Sequence, residues 1–513
     1  MRLLTRDDLR VAQQIAIPHI KENKKCALFA EMGIGKTGAT ITALVDLLGG
    51  LDISRVLIVA PLRVARKTWP DEYKQWKHAS WLSYRCLWNE VPGDDVSNAN
   101  GERRIRYFEA KMLQYEDQLD DLRWDGLDEP KTLRDIRELE QEIAHVKRTL
   151  KWGYISARHP EEIHIINREN LAFLVNFWGK FWPYDTIIYD ESSGLRNGRK
   201  ALRWRAMRAV MPFTNRLIEL TGTPVPKGLL GLWGQLYLID GGQRLGTSFT
   251  AYKKRFFYQD DYHGYTWLPK PGAEEAIYAL ISDVCLTLRA ADFMDLHDTI
   301  YNNIPVVLSD DEMVKYKKLE REYVLELTGG VIEAANSAVL VQKLMQLSNG
   351  VVYDSDKKVH VVHNAKADAL ADYIEEQQGA PVLIAYWFKH DLAVLRKKFP
   401  RFKVFADGDD TLTDQWNRGE VPGMFIHPAS GGHGLNIQFG GRRILWYGPI
   451  HDFELYQQLN ARLAGARATG TTFIHHLITE GTADQAIMDS LQEKDGTQNR
   501  LLNALRRIAH SCI

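Results

Sequence analysis

Short apolar runs, each closed by a polar or glycine-rich turn, alternate along this chain with stretches of helical period. Residues 9–20 read as a helix. The run Cys26-Ala27-Leu28-Phe29 then leads into a glycine-rich turn and a second helical pattern over 41–48. Val56-Leu57-Ile58-Val59-Ala60 is apolar throughout and is stopped by Pro61. Comparable runs occur at 163–166, 186–189 and 216–220. Runs without polar alternation predict strands buried on both faces, as in a parallel sheet covered by helices. The rhythm resumes near Lys366. Strands are predicted there at 382–386, 403–405, 424–427, 443–446 and 473–476, followed by a closing helix over 483–508. The fold class is therefore α/β, with two units of this kind.

Two segments break the rhythm. Residues 98–151 are rich in Glu, Arg, Lys, Leu and Gln, with Pro130 near the middle. They predict an inserted helical hairpin whose seam takes Leu113, Leu119 and Leu122 on one side and Leu139, Ile143, Val146 and Leu150 on the other. Residues 245–345 read as largely helical and irregular. The expected organisation is a first lobe over 1–240 carrying the hairpin, a helical bridge over 241–345, a second lobe over 346–480 and C-terminal helices over 481–513. No short tandem repeat or low-complexity tract is present.

Composition narrows the function classes. With 45% hydrophobic and 26% charged residues, the chain reads as globular, with length for about two to four domains. No apolar run approaches a membrane span, and the start, MRLLTRDDLR, lacks the apolar core of a secretory leader. No membrane partner is expected. The cysteines, at 26, 86, 285 and 512, have neither metal-ligand spacing nor the density of a disulfide framework, which fits a cytoplasmic location. Net charge is −1, so a nucleic-acid partner has to be held by local basic stripes.

Candidate chemistry concentrates at AEMGIGKTGAT, residues 30–40. A strand, a glycine turn, Lys-Thr and a helix form a phosphate cradle. Gly33 and Gly35 let backbone N–H groups turn towards phosphate oxygens, Lys36 reaches the terminal phosphates, and the Thr37 hydroxyl holds Mg2+. Met32, Ile34 and Gly38 complete the cradle. The strict pattern begins with glycine, where this chain has Ala30. Asp190-Glu191, at the end of another predicted strand, supply the second half of a triphosphate site. Asp190 suits the metal and Glu191 suits the base that orients an attacking water. The bland alternatives are a core glycine turn and a pair of exposed strand-end acids.

The order of these motifs resembles a helicase superfamily two motor of the Swi/Snf type along nearly the whole chain. The likeness rests on 9–13 around Gln13, EMGIGKT, VLIVAPLRVARKTWPDEYKQW, Asp190-Glu191-Ser192-Ser193 and Leu220-Thr221-Gly222-Thr223-Pro224. It continues through Leu288-Arg289, Ile304-Pro305, 382–395, Ala429-Ser430-Gly431-Gly432-His433-Gly434-Leu435-Asn436, Tyr456-Gln457-Gln458-Leu459-Asn460-Ala461-Arg462 and 481–494. The resemblance implies two RecA-like lobes with helical insertions, ATP and Mg2+ as cofactors, and DNA as the track, duplex by the habit of the family. It also implies adenine contact by Gln13, an arginine finger at Arg462, and coupling of hydrolysis to movement through Thr221, Gly222, Thr223, Gly434, Asn436 and Gln458. Implied phosphate contacts are Arg63, Arg66, Arg196, Lys389, Ser430 and Gly431, each of which can equally be solvated. The family places a second arginine where this chain has Gly465. Either Arg467 supplies that finger or Arg462 acts alone.

The expected activity is DNA-stimulated ATP hydrolysis driving translocation by lobe opening and closing. Competing readings are a strand-separating helicase, a catalytically weak DNA-binding scaffold of the same fold, and a small-molecule P-loop kinase, which the second lobe opposes. Compactness points to a bacterial or bacteriophage protein acting in the cytoplasm. A monomer is expected, with the hairpin arm available to a protein partner.

Overall fold

The computed structural model describes residues 2–87, 99–124, 130–158, 161–226, 228–259, 267–328, 334–353, 358–406, 409–431 and 435–511. Six strands open the first lobe: β1 (Lys25–Ala30), β2 (Val56–Ala60), β3 (Tyr84–Cys86), β4 (Ile163–Asn167), β5 (Thr186–Asp190) and β6 (Arg216–Thr221). A small antiparallel pair, β7 (Phe257–Gln259) and β8 (Trp267–Pro269), precedes β9 (Cys285–Leu288). The first sheet runs β3-β4-β2-β5-β6-β1-β9, and all its pairings are parallel. The second begins with β10 (Thr299–Val306). After another small pair, β11 (Val351–Tyr353) and β12 (Val359–Val361), it gathers β13 (Val382–Ala385), β14 (Lys403–Val404), β15 (Gly423–Ile426), β16 (Arg443–Trp446) and β17 (Thr472–Thr479). Its order is β10-β17-β16-β13-β15-β14, again wholly parallel. These are two RecA-like lobes.

Unbroken apolar strands follow from this layering. A parallel neighbour needs a crossover, and the crossover helices cover both faces of the sheet. Within β2, Leu57 and Val59 enter a core shared with Trp204 and Trp233, while Val56, Ile58 and Ala60 enter the opposite core with Leu44. In β13, Leu383 and Ala385 face one core and Val382 and Ile384 the other.

Two sequence expectations change. The region read as a helical bridge contributes an edge strand to each sheet, β9 to the first and β10 to the second. The sequence of β10, TIYNNIPV, hides this because Tyr301, Asn302 and Asn303 are exposed on an edge that pairs on one side only. The chain thus passes from one sheet to the other through residues 289–298. At the start of that segment, the Ala290 N–H donates to Glu31 Oε2 at 2.9 Å and Arg289 pairs with Glu31 at 3.5 Å.

The hairpin also differs in its seam. Helices Ala99–Trp124 and Pro130–Arg158 close on Leu119, Ile136 and Ile143, whereas Leu113 is 59% exposed. Helical phase puts Met112 and Tyr115 inward in its place, against the main core. The hairpin's root is built into the lobe: Ile105, Phe108, Val146 and Leu150 join that core, and the Gly153 backbone lies where any Cβ would meet the Phe177 ring at 2.0 Å. Among the described residues no helix is long and apolar enough to cross a membrane.

Candidate active site

The carboxyl ends of β1, β5 and β6 open towards the second lobe, the usual place for ligands in parallel sheets. A cavity of about 680 Å³ lies there. Its walls include Gln13, Met32, Gly33, Gly35, Lys36, Thr37, Asp190 and Glu191 from the first lobe and Asn436, Gln438, Arg462 and Ala466 from the second.

The phosphate loop is shaped by backbone conformations that favour glycine. Gly33 and Gly35 have φ of 86° and 95°. The helix Lys36–Gly49 starts directly after Gly35, so its unpaired N–H groups and positive dipole end face the cavity. Gln13 packs on this turn: its Nε2 donates to the Gly35 carbonyl at 3.0 Å, and a Cβ on Gly35 would sit 2.5 Å from that nitrogen. Arg10 Nη1 donates to the Gly33 carbonyl at 2.9 Å. Lys36 Nζ donates to the Ala30 carbonyl at 2.8 Å, which holds the ammonium beside the glycine turn. Ile34 and Gly38 are buried beneath it, and Gly38 is confined by Gln13 and Trp76.

Asp190 and Glu191 are both buried. Burial first, then the neighbouring Glu191 charge, pushes the Asp190 carboxyl up to about 6 against the opposing pull of Lys36. Trp69 Nε1 donates to Asp190 Oδ2 at 3.0 Å and the Glu191 N–H to Oδ1 at 3.1 Å. Glu191 occupies the left-handed region, φ 58° and ψ 59°. For a residue with a Cβ that costs about 1–3 kcal/mol and persists only where surroundings over-determine it. Thr221 Oγ1 lies 3.5 Å from Glu191 Oε2, and Thr223 N–H donates to Thr221 Oγ1 at 3.0 Å. Gly222 and Thr223 border an adjoining cavity that shares Met32 and Ala466 with the first.

The second lobe closes the site. Arg462 is buried, follows the helix Phe453–Asn460, and holds the Leu435 carbonyl at 3.5 Å. Gln458, on that helix, is buried, and its carboxamide finds no partner among the described residues. Gly434 and the Arg467 side chain lie outside the described residues, so the choice between one and two arginines is not made by the fold.

The implied phosphate contacts stand apart from the cavity, and in the first lobe they meet the second. Arg63 lies over the Phe405 ring at 5.5 Å, while Arg66 is exposed. Lys67 pairs with Asp410 at 2.6 Å. Arg196 Nη1 donates to Glu454 Oε2 at 2.8 Å, with Ser193 Oγ donating to Oε1 at 2.8 Å. Lys389 is exposed at the start of its helix, Ser430 is half-buried, and Gly431 is packed so closely that a Cβ would meet Leu459 at 2.7 Å.

Sequence reasoning missed Trp69, Arg10 and Glu454. A tryptophan that opens one helix and an arginine that precedes another carry no local mark of their polar contacts. Glu454 contacts a loop more than two hundred residues away.

No family model matches the chain. Protein p41 of Acyrthosiphon pisum secondary endosymbiont phage 1 is 34% identical over 512 residues, covering 97% of this chain and 98% of p41. The chain belongs to the same family as p41. Candidate helicase 172L of Invertebrate iridescent virus 6 is 22% identical over 71% of this chain and 68% of its own length. The Bacillus subtilis (strain 168) candidate ATP-dependent helicase/translocase YwqA is 21% identical over 63% of this chain and 36% of its own. Among solved structures, the Sulfolobus solfataricus SWI2/SNF2 ATPase core in complex with dsDNA is 17% identical, covers 97% of this chain and 93% of that one, and has a TM-score of 0.41. The Sulfolobus solfataricus SWI2/SNF2 ATPase core domain is 18% identical, with 95% of this chain and 88% of that one covered and a TM-score of 0.39.

Proposed function

We propose that this chain is a Swi/Snf-type motor of helicase superfamily two, an ATP-dependent DNA translocase whose hydrolysis site is completed by lobe closure. One observation carries the reading: a single cavity is walled by Lys36, Asp190 and Glu191 from one lobe and by Arg462 from the other. ATP would lie with its base towards Gln13 and its phosphates on the glycine turn. Lys36 would leave the Ala30 carbonyl for the terminal phosphates. Glu191 would take a proton from the attacking water as the new P–O bond forms and the bond to ADP breaks. Arg462 would face the charge that develops on the transferred phosphoryl.

A magnesium ion fits the donor set. Thr37 offers a hydroxyl and Asp190 a buried carboxyl crowded by Glu191, a mutual repulsion that a divalent cation relieves. Bound there by Thr37 and Asp190, it would neutralise phosphate charge. Because the site needs both lobes, each turnover opens and closes them, and a lobe-spanning track would be stepped along. Arg63, Arg66, Arg196, Lys389, Ser430 and Gly431 are the proposed backbone contacts, of a kind that positions without reading sequence.

The test compares ATP hydrolysis with no nucleic acid, single-stranded DNA, duplex DNA and RNA, in the native chain and in Lys36→Ala and Glu191→Gln. Duplex DNA should stimulate most, stimulation should fade with salt, and both variants should be folded and silent. Turnover that ignores nucleic acid and salt, or that survives Lys36→Ala, refutes the proposal. A strand-displacement assay distinguishes a helicase, which would release the displaced strand.

A further inference from the structure

Directly after the strained Glu191, Ser192 is fully buried. Its hydroxyl donates to Gln235 Oε1 at 3.0 Å. Gln235 is itself fully buried, and its Nε2 donates to the Pro224 carbonyl at 2.9 Å. One carboxamide therefore ties the loop after the acids to the Thr-Gly-Thr-Pro loop, and its Nε2 also lies 3.5 Å from the Gly231 carbonyl. The helix that carries it, Leu232–Asp240, is otherwise apolar on its buried side, with Leu232, Trp233, Leu236, Leu238 and Ile239 in the core. A lone amide there is costly unless both its ends are bonded, and both are.

A second feature brings the helix and the acid loop together. Gly234 lies so close that a Cβ would meet the Leu195 carbonyl oxygen at 2.4 Å and that of Arg196 at 3.0 Å. The backbone that continues from Glu191 is thus laid directly on this helix, and Gln235 is its polar fastening. Glu219, fully buried on β6, faces the same Ser192 hydroxyl, and burial drives its carboxyl well above the ordinary range.

We propose that Gln235 is a positioning residue for ATP hydrolysis, clamping Ser192 to Pro224 so that Glu191 keeps its left-handed backbone and its place against Thr221. The inference rests on the ATPase reading above. A general base must stand within hydrogen-bond reach of its water, and a misplacement of about 1 Å costs on the order of a hundredfold. Released from Gln235, the Glu191 turn can relax to an ordinary conformation, and its carboxylate moves with it.

Gln235→Met keeps length and bulk but removes both bonds. Its kcat should fall about tenfold or more, while KM for ATP and the melting temperature stay near those of the native chain. Gln235→Glu keeps the length and an acceptor for the Ser192 hydroxyl and should recover part of that loss. Ser192→Ala removes the same link from the other side, and the double variant with Gln235→Met should be no slower than the slower single variant. A kcat for Gln235→Met within about twofold of native, a loss matched by the unfolded fraction, or additive losses in the double variant overturn the proposal. Should Gln235→Met not fold, Ser192→Ala decides: a kcat loss of about tenfold with KM unchanged supports the clamp, and native kcat overturns it. Lys36→Ala run alongside separates the two readings. If it is silent while Gln235→Met is fully active, only the clamp falls; if it still turns over, the ATPase reading falls.

Discussion

Replacing Glu454 by glutamine should loosen the lobes from one another. Glu454 reaches across the seam with both oxygens, accepting from Ser193 Oγ and Arg196 Nη1 at 2.8 Å each. Glutamine preserves the volume but turns an amide NH2 towards one of those donors and removes the charge. A hydrogen bond to an ionised group contributes about 1.5–3 kcal/mol. The lower end applies here, because burial, and then the charge of nearby Glu191, already raises the Glu454 pKa and disfavours its carboxylate. A loss of about 1.4 kcal/mol is a tenfold change in equilibrium, so the open arrangement should become about ten times more populated.

The other interlobe ion pair gives an internal scale. Lys67 and Asp410 have side chains 45% and 58% exposed. A pair so wet contributes about 0–1 kcal/mol, and Asp410→Asn should shift the same balance less than about fivefold. Single-molecule energy transfer between a dye on each lobe, without nucleotide or DNA, measures both populations. Native-like open fractions in Glu454→Gln, or a larger shift in Asp410→Asn, would refute the assignment of the seam's grip to Glu454.

Two further outcomes concern the second lobe. Lys366 and Asp484 form a fully buried pair at 2.6 Å, and removing one member of such a pair strands a charge. Lys366→Met should cost this lobe about 3–5 kcal/mol in urea unfolding, and adding Asp484→Leu should return much of it. His476 is held down to about 4 by burial, with neighbouring His475 adding to the effect. Its unfolded value is about 6.5, so as pH falls from about 6.5 to about 4 the unfolded chain takes up a proton the folded one refuses, and about 3 kcal/mol of stability is lost. His476→Gln should flatten that part of the stability–pH curve. An unchanged slope counts against the buried neutral imidazole.

The fold was legible where burial on both faces made strands apolar from end to end. Val56–Ala60 and Thr186–Asp190 announced themselves, and the turns after Ala30 and Asp190 located the cavity. The edge strands β9 and β10 were not legible, although β14 at the far edge of the second sheet was. Half of β10 faces outward and is free to be Tyr-Asn-Asn, and β9 leaves Leu286 and Thr287 half-buried at its edge. The hairpin seam was displaced at Leu113 because a helical stripe alone does not say which neighbour it will meet. Gln235 left a readable trace, one amide in the run LLGLWGQLYLI, although only coordinates reveal what it joins. Glu454 left none, since its partners are set by how two separately folded sheets come to rest.

The passage between the sheets has a mechanical consequence. Residues 289–298 are moored at both ends, by β9 alongside β1 and by β10 alongside β17. A strand of that length spans about 35 Å at full stretch. The tether therefore permits rotation but forbids the halves from drifting away. Its near mooring is Glu31, the residue that opens the glycine turn. The pivot and the glycine turn share a bolt, and any displacement of that turn is delivered first to the axle.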